Sequence, residues 1–470
     1  MNNKYIKREQ LGISLLYVDL FCGAGGTSTG VESARVENEK CAKVIACVNH
    51  DANAIASHAE NHPESLHFTE DIRTLDLAPL AKHVAEMRKK YPFAKLVLWA
   101  SLECTNHSNA KGGMSRDADS RTLAEHVNRY VIAINPDSVQ IENVKEFMDW
   151  GPLKQKEKEG VPQFDKKGNA IMHPDPLTKG TDFKRWVESI KSLGYSYDYR
   201  ILNSADFNAY TSRRRFFAQF SAEGFPTVWP EPTNEKNGVN LPKWNAVKHC
   251  LDFSEEGKSI FGRKIPIVDN TLKRIYAGME KFVPVGEEKF LSAVNYTFID
   301  QQFGKSKPAS IENPCNAVTV NPKFAKVDCN YFLMNPQYQS KGGSINDPCF
   351  TLIARMDKMP PYLVETSHVG VFPSFIKIKD NVLIYEIYET DSEILKKIKE
   401  FMAAHGLIDV KMRMLFILEL LRIMGFPEDY VLIGTQAEQK KYIGNAVEVN
   451  VAIALCEASA LRLFQKRIAA

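Results

Sequence analysis

Apolar runs alternate with segments of helical periodicity from residue 14 to about residue 222. Five of the runs predict buried strands: 14–21, 42–49, 96–101, 137–144 and 214–220. Segments between them, such as 51–62 and 122–134, carry apolar residues at helical spacing. This alternation predicts an α/β domain with a mostly parallel sheet, in which ligands bind outside the carboxyl ends of the strands.

The pattern changes twice along the chain. Residues 151–180 hold few apolar residues and many charges, which predicts an inserted surface loop. From about residue 225 the alternation is lost and Pro, Asn and Lys become frequent, so a second, smaller domain of irregular and β character is predicted to about residue 410. We therefore expect a first domain at 1–224, a second at 225–410, and a segment at 411–470 that rejoins the first.

Composition narrows the class of protein. The chain has 470 residues, of which 44% are hydrophobic, enough for one large domain and one smaller domain. Its 60 basic and 57 acidic residues give a net charge of +3, which does not itself indicate a nucleic-acid partner but allows a local basic groove. Nine scattered cysteines without a CxxC pair favour a reduced cytoplasmic protein over a disulfide framework or a zinc site. No apolar run is long enough to predict a membrane span.

A glycine-rich turn follows the first predicted strand, in the sequence DLFCGAGGTSTG at 19–30. A strand, glycines and a helix start allow a ligand to approach backbone N–H groups closely. The three-glycine dinucleotide fingerprint fails because its third position is Ser28. The turn, with Asp19, Phe21 and Gly23, therefore favours a small nucleoside ligand that lacks a pyrophosphate.

Polar residues also follow the next two strands. Asn49, His50 and Asp51 end the second strand, where polar side chains can bind ribose hydroxyls, and the alternative is an ordinary helix N-cap. Asp71 follows a presumed third strand and can accept a hydrogen bond from an exocyclic amine. The sequence leaves both interpretations of the second strand end open.

Four further side chains are candidates for chemistry. Cys104 follows a buried strand in LVLWASLECTNHSNAKGG, although most free cysteines are simply buried. Glu142 ends a very apolar strand, where a carboxylate needs a partner or a raised pKa, so it is a candidate acid. Arg213 and Arg215 share one face of a strand and could bind a phosphate or a carboxylate.

In this order the motifs resemble those of the DNA (cytosine-5) methyltransferases of prophage or bacterial type. DLFCGAGGTSTG resembles their cofactor-binding motif, the Cys104 loop their nucleophile motif, and IENV their Glu-Asn-Val motif. TSRRRFF, MRMLFILELLRIMGFPEDY and YIGNAV resemble three later motifs, and the unmatched segment 225–410 occupies the place of the target-recognition domain. The resemblance covers about residues 14–220 and 411–460.

The resemblance implies a Rossmann-like, S-adenosylmethionine-dependent methyltransferase sheet. It implies methyl transfer to C5 of a flipped-out cytosine at a specific duplex DNA site, with the Cys104 thiolate adding to C6. Glu142 would protonate N3, while Arg213 and Arg215 would hold the base, a phosphate or the carboxylate. The S-adenosylmethionine site would comprise Asp19, Phe21, Gly23, Gly26, Asn49, His50, Asp71, Leu123, Asn445 and Ala446. We expect a monomer that needs no metal, with duplex DNA as partner and a cognate restriction endonuclease as a candidate partner.

Departures from the family pattern leave two alternatives open. Glu103 and Thr105 replace the usual Pro and Gln beside the cysteine, and Thr211 replaces a Gln. Asn49 and His50 stand where the family has a ribose-binding acid and an aromatic residue. The alternatives are an RNA methyltransferase with the same chemistry and a weakly catalytic DNA-binding regulator. The long segment 225–410 favours duplex DNA, and the joint presence of the four catalytic candidates favours an enzyme.

Overall fold

The computed structural model describes residues 12–102, 123–164, 168–283, 297–301, 309–310, 324–337, 340–368, 371–379 and 382–469. Cys104, Glu103 and Thr105 lie outside the described residues. The chain divides into two compact units. Unit 1 comprises residues up to 245 with 351–354 and 420–470, and unit 2 comprises 246–350 and 355–419. The predicted domain boundaries at 225 and 411 stay predictions.

Unit 1 is built on a mainly parallel sheet, which confirms the predicted α/β class. Among the described residues its strands are β1 Leu15–Leu20, β2 Ala42–Asn49, β3 Leu66–Thr69, β4 Lys95–Ser101, β5 Ser138–Asn143, β6 Ser196–Asn203 and β7 Arg214–Ser221. The strand order is β6-β7-β5-β4-β1-β2-β3. Strands β1 to β5 pair in parallel, whereas β7 runs antiparallel to both β5 and β6.

Helices cover both faces of this sheet. The described helices of unit 1 include α1 Gly26–Ser33, α2 Ala52–Asn61, α3 Leu77–Lys90, α4 Val127–Ile134 and α5 Thr181–Lys191. Successive residues of β1 alternate between two cores: Leu15 packs in the core that contains α10 (Val449–Ala469), and Leu16 in the core that contains α3, α4 and α5. Burial on both faces explains why the strands are continuous apolar runs.

The segment 151–180 differs from the prediction of a simple inserted loop. Leu153–Gln155 pairs antiparallel with Met172–Pro174, and Glu157–Lys158 pairs with Val161–Pro162. Backbone pairing therefore orders a segment that has few apolar residues, and a hydrophobicity pattern does not detect hairpins held mainly by backbone hydrogen bonds. A further short hairpin joins Arg35–Val36 to Glu39–Lys40.

Unit 2 contains an antiparallel sheet and two long helices. Its described strands are β8 Lys258–Ser259, β9 Thr297–Gln301, β10 Ala309–Ser310, β11 Phe324–Met334, β12 Gly343–Ser344, β13 Tyr362–Ser367, β14 Ile376–Lys379, β15 Val382–Tyr385 and β16 Asp409–Met414. The larger sheet has the order β8-β16-β13-β11-β9-β10, with β12 on β11, and β14 pairs with β15. Helices α6 Asp269–Phe282 and α7 Glu393–His405 contribute to its core, so this region is more regular than the sequence predicts.

Three helices follow along the chain: α8 Ile417–Ile423, α9 Gln436–Asn445 and α10. Helix α9 begins with a capping box, in which Thr435 and Glu438 exchange hydrogen bonds. Among the helices that the structure describes, none is both long enough and apolar enough to cross a lipid bilayer.

Candidate functional site

A cavity of about 300 Å³ opens in unit 1 at the carboxyl ends of the parallel strands. Its walls come from the turn after β1, the ends of β2, β4 and β5, the start of β7, and the junction between α9 and α10. Parallel strands place their carboxyl ends at one sheet edge, so polar residues from distant parts of the sequence meet there.

The glycine-rich turn after β1 forms one wall. Phe21 and Gly23 both line the cavity, and both have left-handed backbone conformations, with φ of 57° and 53°. Gly26 lies at the first turn of α1, where a Cβ atom would stand 2.5 Å from the carbonyl oxygen of Val447. Gly26 therefore permits close packing of α1 against the 446–447 backbone, while Gly23 reaches the cavity itself.

The end of β2 supplies a polar wall of the cavity and the N-cap of the helix that follows it. Asp51 is the N-cap of α2 and accepts hydrogen bonds from the backbone N–H groups of Asn53 and Ala54. Asn49 and His50 line the cavity beside it. The Tyr442 hydroxyl donates to Asp51 Oδ1 at 2.9 Å. Although partial burial opposes it, this bond helps to lower the pKa of Asp51, so the cavity keeps a carboxylate on this side.

Glu142, Arg213 and Arg215 lie near one another in another part of the cavity wall. Glu142 is 5% exposed, and Arg215 Nε lies 3.3 Å from its Oε1. Burial raises the pKa of Glu142, and the positive charges of Arg215 and Arg213 oppose the rise. The site thus holds a buried carboxyl group that is poised to carry a proton.

Arg213 is fixed more firmly than Arg215. Its Nη1 donates to the carbonyl oxygens of Leu352 and Gly444, at 3.0 and 3.2 Å. Arg215 is less buried, and its Nη1 donates to the carbonyl oxygen of Arg214 at 2.9 Å. Arg213 therefore ties the cavity wall to the α9–α10 junction, whereas Arg215 has the more accessible guanidinium.

The structure brings most of the predicted site residues to this cavity. Those that line it are Phe21, Gly23, Asn49, His50, Glu142, Arg213, Arg215, Asn445 and Ala446. Asp19 is instead fully buried and accepts a hydrogen bond from Ser28, and Leu123 packs against the sheet core. Asp71 accepts hydrogen bonds from Arg73 through both carboxylate oxygens and does not line the cavity. Cys104 follows the lining residue Leu102 by two positions along the chain.

Several lining residues were not predicted from the sequence. They are Cys22, Thr27, Ala54, Ser101, Leu102, Lys441, Tyr442 and Val447. Asp51, which the sequence placed at the end of the second strand, is both a helix cap and a cavity residue. Lys441 and Tyr442 precede Asn445 on α9, and only the folded chain shows that they approach β2. The lysine and the two arginines make three cationic side chains around one cavity.

Comparisons with known proteins point to one family. A family model described as C-5 cytosine-specific DNA methylase matches residues 15–159 and 175–460. Type II methyltransferase M.AgeI of Thalassovita gelatinovora is 26% identical over 228 residues, which are 48% of this chain and 44% of that protein. Type II methyltransferase M1.HphI of Haemophilus parahaemolyticus is 25% identical over 252 residues, 52% of this chain and 57% of that protein. The chain thus spans about half the length of these relatives.

Among solved structures, the Dnmt2 methyltransferase of S. pombe is similar to the chain with a TM-score of 0.46 and 13% sequence identity. That match covers 97% of this chain and 99% of the other.

Proposed function

The chain belongs to the C-5 cytosine-specific DNA methylase family, and from this premise we propose that it methylates C5 of cytosine in duplex DNA with S-adenosylmethionine as the methyl donor. The observation that carries the proposal is the shared cavity. It joins a glycine-rich turn suited to a nucleoside with a buried carboxyl group suited to proton transfer. Neither feature alone would separate a methyltransferase from other nucleoside-binding enzymes.

The residues of the cavity fit S-adenosylmethionine by their chemistry. Phe21, Ala54 and Leu102 provide apolar surface for a purine ring, while Asn49 and Asp51 provide oxygen atoms for ribose hydroxyls. The left-handed turn at Phe21 and Gly23 brings backbone to the cavity surface. When bound, S-adenosylmethionine supplies an electrophilic methyl group; the residues named here bind and orient it.

The other residues predicted to contact the cofactor differ in whether they line the cavity. Asn445 and Ala446 line the cavity and remain candidate contacts. We propose that Asp19 and Gly26 act through the packing of β1 and α1, since neither lines the cavity. Asp71 and Leu123 stay predictions from the resemblance.

The proposed chemistry requires a nucleophile and an acid. Cytosine C5 is a weak nucleophile, and addition of the Cys104 thiolate to C6 would convert C5 into an enamine carbon. Glu142 would donate its proton to N3 as the C6 bond forms, which its burial favours because burial disfavours the carboxylate. After methylation a base would remove the C5 proton, the Cys104 thiolate would leave, and the N3 proton would return to Glu142.

The arginines assist this chemistry in different ways. Arg215 contacts Glu142 and is only partly buried, so it can bind the base carbonyl or a phosphate while it holds the carboxyl group in place. Arg213 is committed to two backbone carbonyl oxygens, and we assign it a positioning role. Its charge still counters the effect of burial on the pKa of Glu142.

Duplex DNA is the proposed substrate. A paired cytosine cannot reach an enclosed cavity of this kind, so it must be flipped out of the stack. We propose that the segment predicted as the target-recognition domain, most of which falls in unit 2, reads the surrounding sequence. A restriction endonuclease with the same target is a candidate partner, and a monomer stays our expectation.

Bisulfite sequencing of DNA from cells that express the chain tests this function. We expect cytosines at one sequence motif to resist conversion, and to be converted in cells that express Cys104→Ala. Bisulfite sequencing of RNA from the same cells tests the alternative substrate. Resistant positions in RNA and none in DNA would overturn the proposal for DNA, and none in either would overturn methylation itself.

A further inference from the structure

A compact group of sulfur and imidazole ligands lies inside unit 1, beside the cavity. Cys22, Cys47 and His58 each offer one ligand atom, and these atoms all lie within 4.8 Å of one another. All three side chains are buried. His67 joins the group, because its Nε2 lies 2.9 Å from His58 Nδ1.

We propose that four side chains form a binding site for a divalent metal ion of the zinc class: Cys22, Cys47, His58 and His67. They come from the turn after β1, from β2, from α2 and from β3. Their wide spacing along the chain explains why the sequence, which lacks a CxxC pair, argued against zinc. Two cysteines and two histidines are the ligand set of many structural zinc sites.

The distances suit tetrahedral coordination. Bond lengths of about 2.3 Å to sulfur and 2.05 Å to nitrogen place a sulfur and a nitrogen ligand about 3.6 Å apart. Cys47 Sγ and His58 Nδ1 are 3.6 Å apart. Two nitrogen ligands would be about 3.4 Å apart, so His58 and His67 need to separate by about 0.5 Å.

The hydrogen bonds around His58 prepare its Nδ1 for a metal. Ser28 Oγ donates to Asp19 Oδ2 at 2.8 Å, and Ser28 Oγ lies 2.9 Å from His58 Nε2. Since the serine proton is committed to Asp19, the Nε2–H of His58 donates to Ser28 and the Nδ1 lone pair faces Cys47. A carboxylate that orients a ligating histidine in this way is typical of metal sites, here with a hydroxyl between them.

Charge also favours a bound cation. Two thiolates neutralise a divalent ion, and a neutral centre suits an apolar core. Because the ligands span β1, β2, α2 and β3, the ion would hold together the wall that carries Phe21 and Asn49.

Metal analysis of the purified full chain tests the proposal. We expect about one zinc ion per chain by mass spectrometry, and the strong visible absorption of tetrahedral cobalt thiolate after exchange with Co²⁺. Cys47→Ser and His67→Gln should lose both signals, while Cys349→Ser, which removes a buried cysteine of unit 2, should keep them. Ser28→Ala should weaken Co²⁺ binding by about 10- to 100-fold, since it removes the partner of His58.

Circular dichroism shows which variants fold. If Cys47→Ser fails to fold, His67→Gln decides, because the His67 side chain is only partly buried. Two results would overturn the proposal: wild-type chain that takes up neither zinc nor Co²⁺, or folded ligand variants that retain the metal. Neither measurement depends on methyl transfer.

Discussion

At the scale of single residues, the Glu142–Arg215 pair shows what a sequence can and cannot predict. The sequence marks Glu142 as a candidate acid because a carboxyl group at the end of an apolar strand must be paired or protonated. It also places Arg213 and Arg215 on one face of β7. It cannot show that Arg215 meets Glu142 while Arg213 binds backbone carbonyls, because both arginines have the same local pattern.

Arg215→Gln should shift the pH dependence of methyl transfer upward. Glu142 must be protonated to act as an acid, so the single-turnover rate falls as pH rises through its pKa. Arg215 lowers that pKa, so its removal raises the pH at which the rate falls, although the maximum rate decreases. Arg214→Gln, which changes an exposed neighbour, is the matched control and should leave this pH unchanged. Glu142→Gln should abolish the fall in rate with rising pH. If Arg215→Gln leaves the pH at which the rate falls unchanged, the contact between Arg215 and Glu142 does not affect catalysis.

At the scale of elements, strand positions follow from hydrophobicity while their contacts do not. All five predicted strands agree with the structure to within one residue at each end, and 42–49 agrees at both ends. The hairpins of 151–180 and helices α6 and α7 were missed, since backbone pairing and helices in mixed sequence leave weak apolar patterns. The close approach of α1 to α10 is also invisible to the sequence until the fold brings 30 and 452 together.

Gly30→Ala should destabilise unit 1 through this contact. A Cβ at Gly30 would lie 2.5 Å from Ala452 Cβ and 2.8 Å from the carbonyl oxygen of Val449. Overpacking of this kind costs about 1–3 kcal/mol of unfolding free energy, which denaturant unfolding measures. Ser33→Ala, at the exposed end of the same helix, should change stability by less than about 0.5 kcal/mol. If the two variants change the free energy of unfolding equally, α1 and α10 can move apart to accept the added methyl group with little loss of stability.

Glu448, just before α10, should make stability depend on pH. It is 1% exposed and accepts hydrogen bonds from Val451 N and Asn450 Nδ2, yet burial raises its pKa to about 7 from an ordinary 4.5. The pKa of Glu448 is higher in the folded chain than in the unfolded chain, so folding favours the protonated carboxyl group. The free energy of unfolding is therefore highest below pH 4.5 and falls as pH rises through 7, by up to about 3 kcal/mol. Glu448→Gln should flatten this decline in denaturant unfolding at several pH values. If the free energy of unfolding of Glu448→Gln falls with pH as much as that of the wild type, groups other than Glu448 cause the fall.

At the scale of the whole molecule, the cavity joins residues from both ends of unit 1. Tyr442 bonds to Asp51 across 391 positions of the chain, so no local pattern could predict that contact. The ordered motifs nevertheless predicted the family, which is confirmed. Four of the six motifs supply residues that line the cavity, which the folded chain brings together from distant parts of the sequence.

Exchange of residues 246–419 should transfer the target sequence to a related methyltransferase. The cavity residues can address any cytosine, so discrimination between sites needs contacts to base edges from elsewhere in the chain. The measurement is the methylation pattern of a plasmid library treated with the chimera. A chimera with exchanged residues 181–191, helix α5, is the control and should keep the recipient's pattern. Unchanged specificity in the first chimera, if active, would place recognition in unit 1.

The covalent role of Cys104 is the central claim, and DNA that contains 5-fluorocytosine tests it most directly. Fluorine at C5 cannot leave as a proton does, so the Cys104 thiolate cannot be eliminated after methylation. With S-adenosylmethionine present, we predict a DNA adduct that survives a denaturing gel and maps by mass spectrometry to the peptide that carries Cys104. A preparation that methylates ordinary cytosine DNA but forms no adduct with the fluorinated DNA, or forms it on a different cysteine, would contradict the account.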